Sequence, residues 1–275
     1  MSSEPSSLEP SQTAQLHQVS GRPVVRGGGG VGIYWPLVPA VLLLSIWQWH
    51  SIASRGAFSL IPSLQDTVLA FFRLLIAPEM WRAAWESFLT LAIGFSFSLV
   101  IGILLGTLLA LRPKLGSYFE LPITILLVSP LVALIPLVVM VFGIGLAASA
   151  AVVFLFSVSY IVINTVVGIH AVPASLKEMA QSFNATGWQV FFKILLPSAL
   201  PEILAGIRNG GGHAITGMVA AQLTLITMGF GRLVEDYSSH LQNDLLFATI
   251  LIVVILGAAA LSVLEKIERR FAPWK

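Results

Sequence analysis

One stretch of this sequence restricts the fold more than any other: residues 121–176, 56 in a row, contain no Asp, Glu, Lys or Arg. A helix needs about 20 apolar residues to cross the hydrocarbon layer of a membrane, so this stretch is too long for one span and long enough for two. Composition agrees, because only 10% of the 275 residues are charged, whereas soluble proteins carry about 25%. The sequence therefore predicts an all-α integral membrane protein.

Uncharged stretches along the chain predict six transmembrane helices, at residues 36–54, 87–111, 121–141, 146–168, 209–231 and 245–264. A glycine-containing break at 142–145 separates the third span from the fourth. Three prolines in or near the third span predict that it is kinked or locally unwound: Pro122, Pro130 and Pro136. Between the first two spans, residues 61–86 predict an amphipathic helix at the outer membrane surface, with packing against other spans as the alternative.

Basic residues decide the orientation of these six spans, since cytoplasmic segments carry an excess of Lys and Arg. With both termini in the cytoplasm, the inner segments hold 11 of the 15 basic residues and the outer segments hold 4. The four outer residues are Arg55, Arg73, Arg82 and Arg232. We therefore expect both termini to be cytoplasmic. Residues 1–32, which are polar and rich in Ser, Gln and Gly, are interpreted as a flexible cytoplasmic tail before a membrane domain at 33–270.

The sequence lacks the residues that several kinds of chemistry need. The chain has no cysteine, which excludes disulfides, thiolate metal sites and cysteine catalysis. No predicted span carries an Asp, Glu, Lys or Arg in its interior, although ion-coupled transporters and proton pumps usually do. No metalloprotease or serine-hydrolase motif is present either, and a net charge of +2 gives little support for nucleic acid. The sequence thus predicts no catalytic or metal site, and any energy for transport enters from elsewhere.

The connection between the fourth and fifth spans, residues 169–208, is long and patterned. A short helix around residues 177–183 is followed by Asn184, which tolerates the left-handed backbone conformation that ends a helix. A second helix is predicted from Thr186, ended by Pro197 and Pro201. Such a hairpin either enters a groove on a partner or packs on itself, and its residues alone favour neither.

A family resemblance favours the first alternative, in which the hairpin enters a groove on a partner. Glu178-Met179-Ala180, Asn184-Ala185 and Ile194-Leu195-Leu196-Pro197 resemble the EAA loop of ATP-binding-cassette (ABC) importer permeases, with matching spacing. Met179 replaces an Ala of that pattern, and Asn184 replaces its Gly. Further segments resemble the sulfonate, taurine and nitrate branch, among them Ile61-Pro62-Ser63 and the residues around 142–145, although that branch generally has Glu where this chain has Gln222.

The resemblance implies a type I importer (MetI-like) architecture whose loop 169–208 carries a cytoplasmic coupling helix. It also implies a bacterial inner-membrane complex in which a second permease copy, two ABC ATPase subunits holding ATP and magnesium, and a periplasmic solute-binding protein assist this chain. Its ATPase-coupling residues would be Glu178, Met179, Ala180, Asn184, Ala185, Gly187, Trp188 and Pro197.

The sequence indicates the family of the protein more closely than it indicates the solute. A sulfonate, taurine, nitrate or bicarbonate-like anion is expected, with an aromatic acid or pyrimidine-like compound as the alternative and a passive channel or secondary transporter as the rival class. Uncharged polar residues in or near central spans are candidates for the pathway, although each also suits a hydrogen bond between helices: Ser129, Asn164, Thr216 and Gln222.

Overall fold

The computed structural model describes residues 37–53, 60–226 and 228–271, and this part of the chain is helical with no strand. The helices, in chain order, are α1 (Leu37–Ala53), α2 (Leu64–Ile76), α3 (Pro78–Leu111), α4 (Pro113–Val128), α5 (Ile135–Phe142), α6 (Leu146–His170), α7 (Ala174–Ser182), α8 (Gly187–Leu225), α9 (Gly229–Ser239) and α10 (Asn243–Phe271). Within the described ranges, four of them are long and apolar enough to cross a membrane, or five spans if the bent pair α4–α5 is counted. The proposed tail at 1–32 lies outside the described residues.

Helix α1 corresponds to the predicted span 36–54. A division between two compact units falls inside it, between Ile46 and Trp47. In the first unit, the described side chains from Val41 to Ile46 are exposed. In the second, the indole Nε1 of Trp47 donates a hydrogen bond to the carbonyl oxygen of Pro62 at 3.0 Å. The helix is thus confirmed, but its 17 residues are fewer than the roughly 20 that a span requires.

Helix α6 is the centre of the bundle, packed between α3 and α8. The backbones of α3 and α6 approach closely because α3 places glycines on the shared face. A Cβ at Gly102 would lie 2.8 Å from Cγ2 of Ile161, and one at Gly106 would lie 2.7 Å from Cβ of Thr165. Helix α6 covers the predicted span 146–168 and continues to His170.

Helix α3 covers the span predicted at 87–111, but it begins earlier, at Pro78, because proline suits the first turn of a helix. The amphipathic helix predicted within 61–86 is therefore restricted to α2, which begins after Ser63, whose hydroxyl accepts a hydrogen bond from the amide of Asp66 at 3.1 Å.

The span predicted at 121–141 is not one straight helix. Helix α4 ends at Val128, a short 3₁₀ turn follows Pro130, and α5 leaves at an angle of 101° to α4. The kink predicted from the prolines is confirmed, with the break at Ser129–Pro130. Positive φ angles of 73° at Gly143 and 136° at Gly145 confirm the predicted break before α6.

The span predicted at 209–231 is wrong at both ends. Helix α8 runs without interruption from Gly187 to Leu225, 39 residues, and so the prolines do not end a separate elbow helix. A π-helical turn at Phe191–Leu195 precedes Pro197, which therefore sits in the first turn of the following α-helical segment, where no amide donor is required. The other end falls at Ile226, whose φ of 55° terminates the helix.

Beyond α8 the chain turns back along the bundle. Gly229, with a φ of 61°, begins α9, which packs on α3, α8 and α10. Helix α10 covers the span predicted at 245–264 and is longer at both ends. An ion pair joins α8 to α10, with Nε of Arg208 3.2 Å from a carboxylate oxygen of Glu268.

Candidate functional site: an elbow and a clamp at opposite ends of one helix

The residues that resemble a coupling loop lie where α7 meets α8. We call residues 174–190 the elbow: α7, the turn at 183–186 and the first turn of α8. In α7, Ala180 is buried at 4% exposure, whereas Glu178 and Met179 directly before it are exposed. One face of α7 is thus used for packing inside the chain, and the other is open.

Asn184 forms the turn of the elbow as the sequence predicts, with a φ of 52°. Its amide donates a hydrogen bond to the carbonyl oxygen of Gln181 at 2.9 Å, and the amide of Ala185 donates to that of Ala180 at 3.0 Å. These bonds satisfy carbonyl groups at the end of α7 that have no partner within the helix. Asn is among the residues that adopt this conformation most readily, so its replacement of the usual Gly preserves the turn.

A capping box fixes the start of α8 directly after that turn. The hydroxyl of Thr186 accepts a hydrogen bond from the amide of Gln189 at 3.4 Å, and the side chain of Gln189 accepts one from the amide of Thr186 at 2.9 Å. Both helix ends at the elbow are therefore stabilised by local hydrogen bonds, which keeps the angle between α7 and α8 defined.

Large apolar side chains point outward from this rigid elbow. Phe183 is 80% exposed, Trp188 is 74% exposed and Met179 is 49% exposed. Trp188 contacts Phe192 edge to face, with ring centroids 4.7 Å apart. Gly187 is exposed in the same turn as Trp188, whereas Pro197 lies ten residues further along α8. The structure thus brings seven of the eight predicted coupling residues together and leaves Pro197 apart.

The opposite end of α8 carries a buried polar cluster that sequence analysis missed, apart from Gln222. We call it the clamp: Glu86 and Ser87 of α3, Gln222 of α8, and Gly229, Phe230 and Arg232 of α9. Oε1 of Gln222 accepts a hydrogen bond from the amide of Phe230 at 3.2 Å and lies 2.9 Å from the hydroxyl of Ser87. Gln222 is only 2% exposed. Its amide links three helices of this chain.

Charged groups support the same clamp. The carboxylate of Glu86 accepts a hydrogen bond from the amide of Gly229 at 2.7 Å and lies 3.7 Å from the guanidinium of Arg232. A Cβ at Gly229 would lie 2.6 Å from the Ser87 hydroxyl, and a Cβ at Gly231 would overlap the carbonyl oxygen of Gln222. The Gly-Phe-Gly sequence at 229–231 was the signal for this close approach.

The four predicted pathway residues do not form one cluster. Gln222 is buried in the clamp, and Ser129 lies half-exposed at the break after α4. Asn164 of α6 is half-exposed and Thr216 of α8 is exposed, and each bonds to its own helix. Nδ2 of Asn164 donates to the carbonyl oxygen of Tyr160 at 2.7 Å, and the hydroxyl of Thr216 donates to the carbonyl oxygen of Gly212 at 3.2 Å. Among the described residues, no group of three or more His, Asp or Glu side chains is placed to hold a metal ion.

Comparisons with known proteins identify the family of the chain. Residues 98–273 match the family model described as binding-protein-dependent transport system inner membrane component. The chain is 30% identical over 239 residues to SsuC of Bacillus subtilis (strain 168), named for transport of aliphatic sulfonates, with 87% of this chain and 86% of the relative covered.

The chain is also 29% identical over 254 residues to the taurine transport system permease protein TauC of Escherichia coli (strain K12), covering 87% of this chain and 92% of TauC. Among solved structures, an inward-facing MetNI methionine ABC transporter chain superposes with a TM-score of 0.58 and 24% identity, over 71% of this chain and 98% of that chain. At that identity the superposition supports the fold only.

Proposed function

The chain belongs to the family of binding-protein-dependent transport system inner membrane components, the permease subunits of ABC importers, and we propose from this premise that two copies of it form the pathway of an ATP-driven importer for a small anion. The observation that carries the proposal is the elbow, a stiff helical turn with three large apolar side chains exposed and with its own hydrogen bonds satisfied.

The exposed face of the elbow is the docking surface for an ABC ATPase subunit. Phe183 and Trp188 supply apolar area, and aromatic side chains of this kind often carry most of the binding energy at protein interfaces. Glu178 and Gly187 lie exposed beside them. Because the hydrogen bonds at 181–189 fix the turn before the partner binds, little conformational entropy is lost on docking.

Movement at the elbow reaches the membrane through α8. At about 1.5 Å per residue, its 39 residues are about 58 Å long. The helix passes from the elbow to the clamp without a break, so a displacement of the docked ATPase is carried along the helix rather than absorbed in a loop. Closure of two ATPases on ATP would thus draw two elbows together and favour one of the two states of the pathway, since ATP binds those states with different affinity.

A six-span topology accommodates this arrangement. We assign α1 as the first span and the bent pair α4–α5 as the third, with α3, α6, α8 and α10 as the others. Both termini and the elbow then lie in the cytoplasm, and the clamp lies on the outer side, in a bacterial inner membrane. The periplasmic binding protein would approach the clamp side.

For the solute, we favour a small anion of the sulfonate, taurine, nitrate or bicarbonate type. Relatives named for sulfonate and taurine transport support this class. An aromatic acid or a pyrimidine-like solute is the second candidate. ATP and magnesium would bind to the partner subunits, so this chain has no catalytic or cofactor role of its own.

Reconstitution in lipid vesicles tests the proposal. We expect uptake of taurine, ethanesulfonate or nitrate only when this chain, its ABC ATPase subunits, its binding protein and ATP are all present. The matched control omits the ATPase subunits alone. Uptake by this chain without them, either down the solute gradient or driven by an ion gradient, would show a channel or a secondary transporter and contradict the proposal.

A further inference from the structure

Helix α8 has two unlike faces. One face packs on α6 through small residues such as Gly206, Gly210 and Gly217. Next to this face, at the edge of the contact with α6, Asn209, His213 and Thr216 follow each other at spacings of four and three residues, which places them on one side of the helix. Asn209 and Thr216 are exposed, and His213 is half-exposed.

Two polar side chains of α6 continue this surface. The rings of Tyr160 and His213 stack, with centroids 3.8 Å apart and planes 10° from parallel. Asn164, one turn after Tyr160, lies beside α8, because a Cβ at Gly206 would be 2.6 Å from the Cβ of Asn164. We call Tyr160, Asn164, Asn209, His213 and Thr216 the polar line.

The polar line is not suited to lipid. Polar groups without partners are costly in hydrocarbon, and polar side chains within spans usually face a bundle interior or a water-filled cavity. Faces that do suit lipid exist elsewhere in the same chain: on α10, Val254 is 61% exposed and Ile250 is 47% exposed. Helix α8 is also the least apolar of the four long helices.

The ring pair also has unused capacity for hydrogen bonds. Within the described part of the chain, neither the ring nitrogens of His213 nor the hydroxyl of Tyr160 has a hydrogen-bond partner. No Asp, Glu, Lys or Arg occurs between Asn209 and Thr216. The surface therefore offers hydrogen-bond donors without a fixed charge.

We propose that the stacked rings of Tyr160 and His213, with Asn164, Asn209 and Thr216 around them, form the surface over which the solute crosses the membrane, and that this surface takes a small anion through its oxygen atoms. The proposal rests on the importer function given above and adds Tyr160, Asn209 and His213 to the pathway. Uncharged donors bind an anion weakly, and weak binding along a path allows the solute to leave.

Cysteine accessibility tests this placement. The chain has no cysteine of its own, so a single introduced thiol is unique. Single variants Asn209→Cys, His213→Cys and Thr216→Cys are prepared in the complete transporter, with Val254→Cys on the exposed face of α10 as the matched control. The probe is an anionic, membrane-impermeant methanethiosulfonate reagent.

We expect the three polar-line thiols to be modified at least about fivefold faster than the thiol at 254. In a water-filled path a thiol can ionise to the reactive thiolate and the reagent can reach it, whereas in lipid neither is possible. A transported solute such as taurine, ethanesulfonate or nitrate should slow that modification. Equal rates at all four positions, or no slowing by the transported solute, would overturn the proposal. So would spontaneous disulfide dimers without modification, which would show that a second copy packs on this face.

Conservative variants separate solute contact from packing. His213→Phe and Tyr160→Phe keep an aromatic stack and remove the hydrogen-bonding atoms, and Tyr118→Phe, at an exposed tyrosine of α4, is the control. We expect the solute transported per ATP hydrolysed to fall about fivefold in the first two and to stay unchanged in the control.

These results keep the two proposals apart. If the wild-type complex shows no ATP-dependent uptake, the proposed function fails. If the wild type transports and both ring variants transport equally well with the same preference among anions, only the polar line is contradicted.

Discussion

Both ends of α8 adjoin a turn of the chain, but the two turns differ in what stabilises them and in which side chains they expose. Each has a residue in the left-handed conformation, Asn184 before the helix and Ile226 after it. At the clamp, the side chains of Glu86, Ser87 and Gln222 make hydrogen bonds between α3, α8 and α9 of the same chain. At the elbow, the hydrogen bonds are local and the large apolar side chains are exposed. The clamp joins three helices of one chain, whereas the elbow leaves the large apolar side chains of Met179, Phe183 and Trp188 exposed.

The largest effect is expected from adding a single methyl group at Gly231, where α9 contacts Gln222 of the clamp. In Gly231→Ala the new Cβ overlaps the carbonyl oxygen of Gln222, which a helix backbone cannot move away from. We expect a loss of about 3 kcal/mol or more and a failure to accumulate in the membrane. The control is Gly257→Ala in α10, where the nearest atom, Cγ2 of Ile215, is 3.5 Å away. Fluorescence-detected size-exclusion chromatography of both variants checks this, and equal yields would show that α9 does not lie on Gln222.

A substitution in the elbow should lower the transport activity rather than prevent assembly in the membrane. Proline cannot adopt the φ of 52° found at Asn184, and it lacks the amide that bonds to Gln181. We expect Asn184→Pro to reduce ATP-dependent uptake by at least about tenfold while the protein inserts normally, since the turn makes no contribution to the membrane core. Asn184→Gly, which accepts the same conformation, should retain uptake. Normal uptake by the proline variant would refute the role of the elbow.

Gln222 tests whether the clamp holds the structure or lines the pathway. Gln222→Ala leaves the buried amide of Phe230 without its closest acceptor, which should cost about 1–3 kcal/mol and lower the midpoint of thermal unfolding. Thr224→Ala, at an exposed residue two positions later, should not lower it. We expect the solute preference in vesicle uptake to stay unchanged. A changed preference with unchanged unfolding would instead place Gln222 in the pathway.

The smallest effect concerns pH at the clamp side. Burial raises the pKa of the Tyr237 phenol in α9, and the carboxylates of Glu79 and Asp236 raise it further. Because the folded state holds this proton more tightly than the unfolded state, the stabilisation is present below the ordinary value near 10 and is lost as the pH rises above it. Unfolding midpoints measured across that range should fall more in the wild type than in Tyr237→Phe. Parallel curves would contradict this.

Sequence alone predicted the parts of the fold that depend on composition and on local backbone chemistry. Uncharged length located α6 and α10, three prolines predicted the broken third span, and Asn184 predicted the turn of the elbow. The ends of α8 were wrong, because proline is normally a helix terminator and the π turn at 191–195 that accommodates Pro197 leaves no obvious mark in the sequence.

Sequence alone singled out Gln222 of the clamp and Asn164 and Thr216 of the polar line, but it missed the other members of both groups for a different reason. Ser87 and Gln222 are 135 residues apart in the chain, and Tyr160 meets His213 across two helices. Contacts of that kind depend on the register in which helices pack, which periodicity does not determine. A Gly-Phe-Gly sequence indicates close approach, but not what it approaches.

A crosslinking comparison between the two ends of α8 tests the central claim most directly. Phe183→Cys and Ile226→Cys each place a unique thiol on an exposed residue, since the chain has no cysteine, and a short bifunctional reagent is then applied to the complete transporter. We predict that the thiol at 183 joins the ABC ATPase subunit, with a yield that changes on addition of ATP, and that the thiol at 226 does not. Absence of any crosslink from 183, or an equal one from 226, would contradict the account.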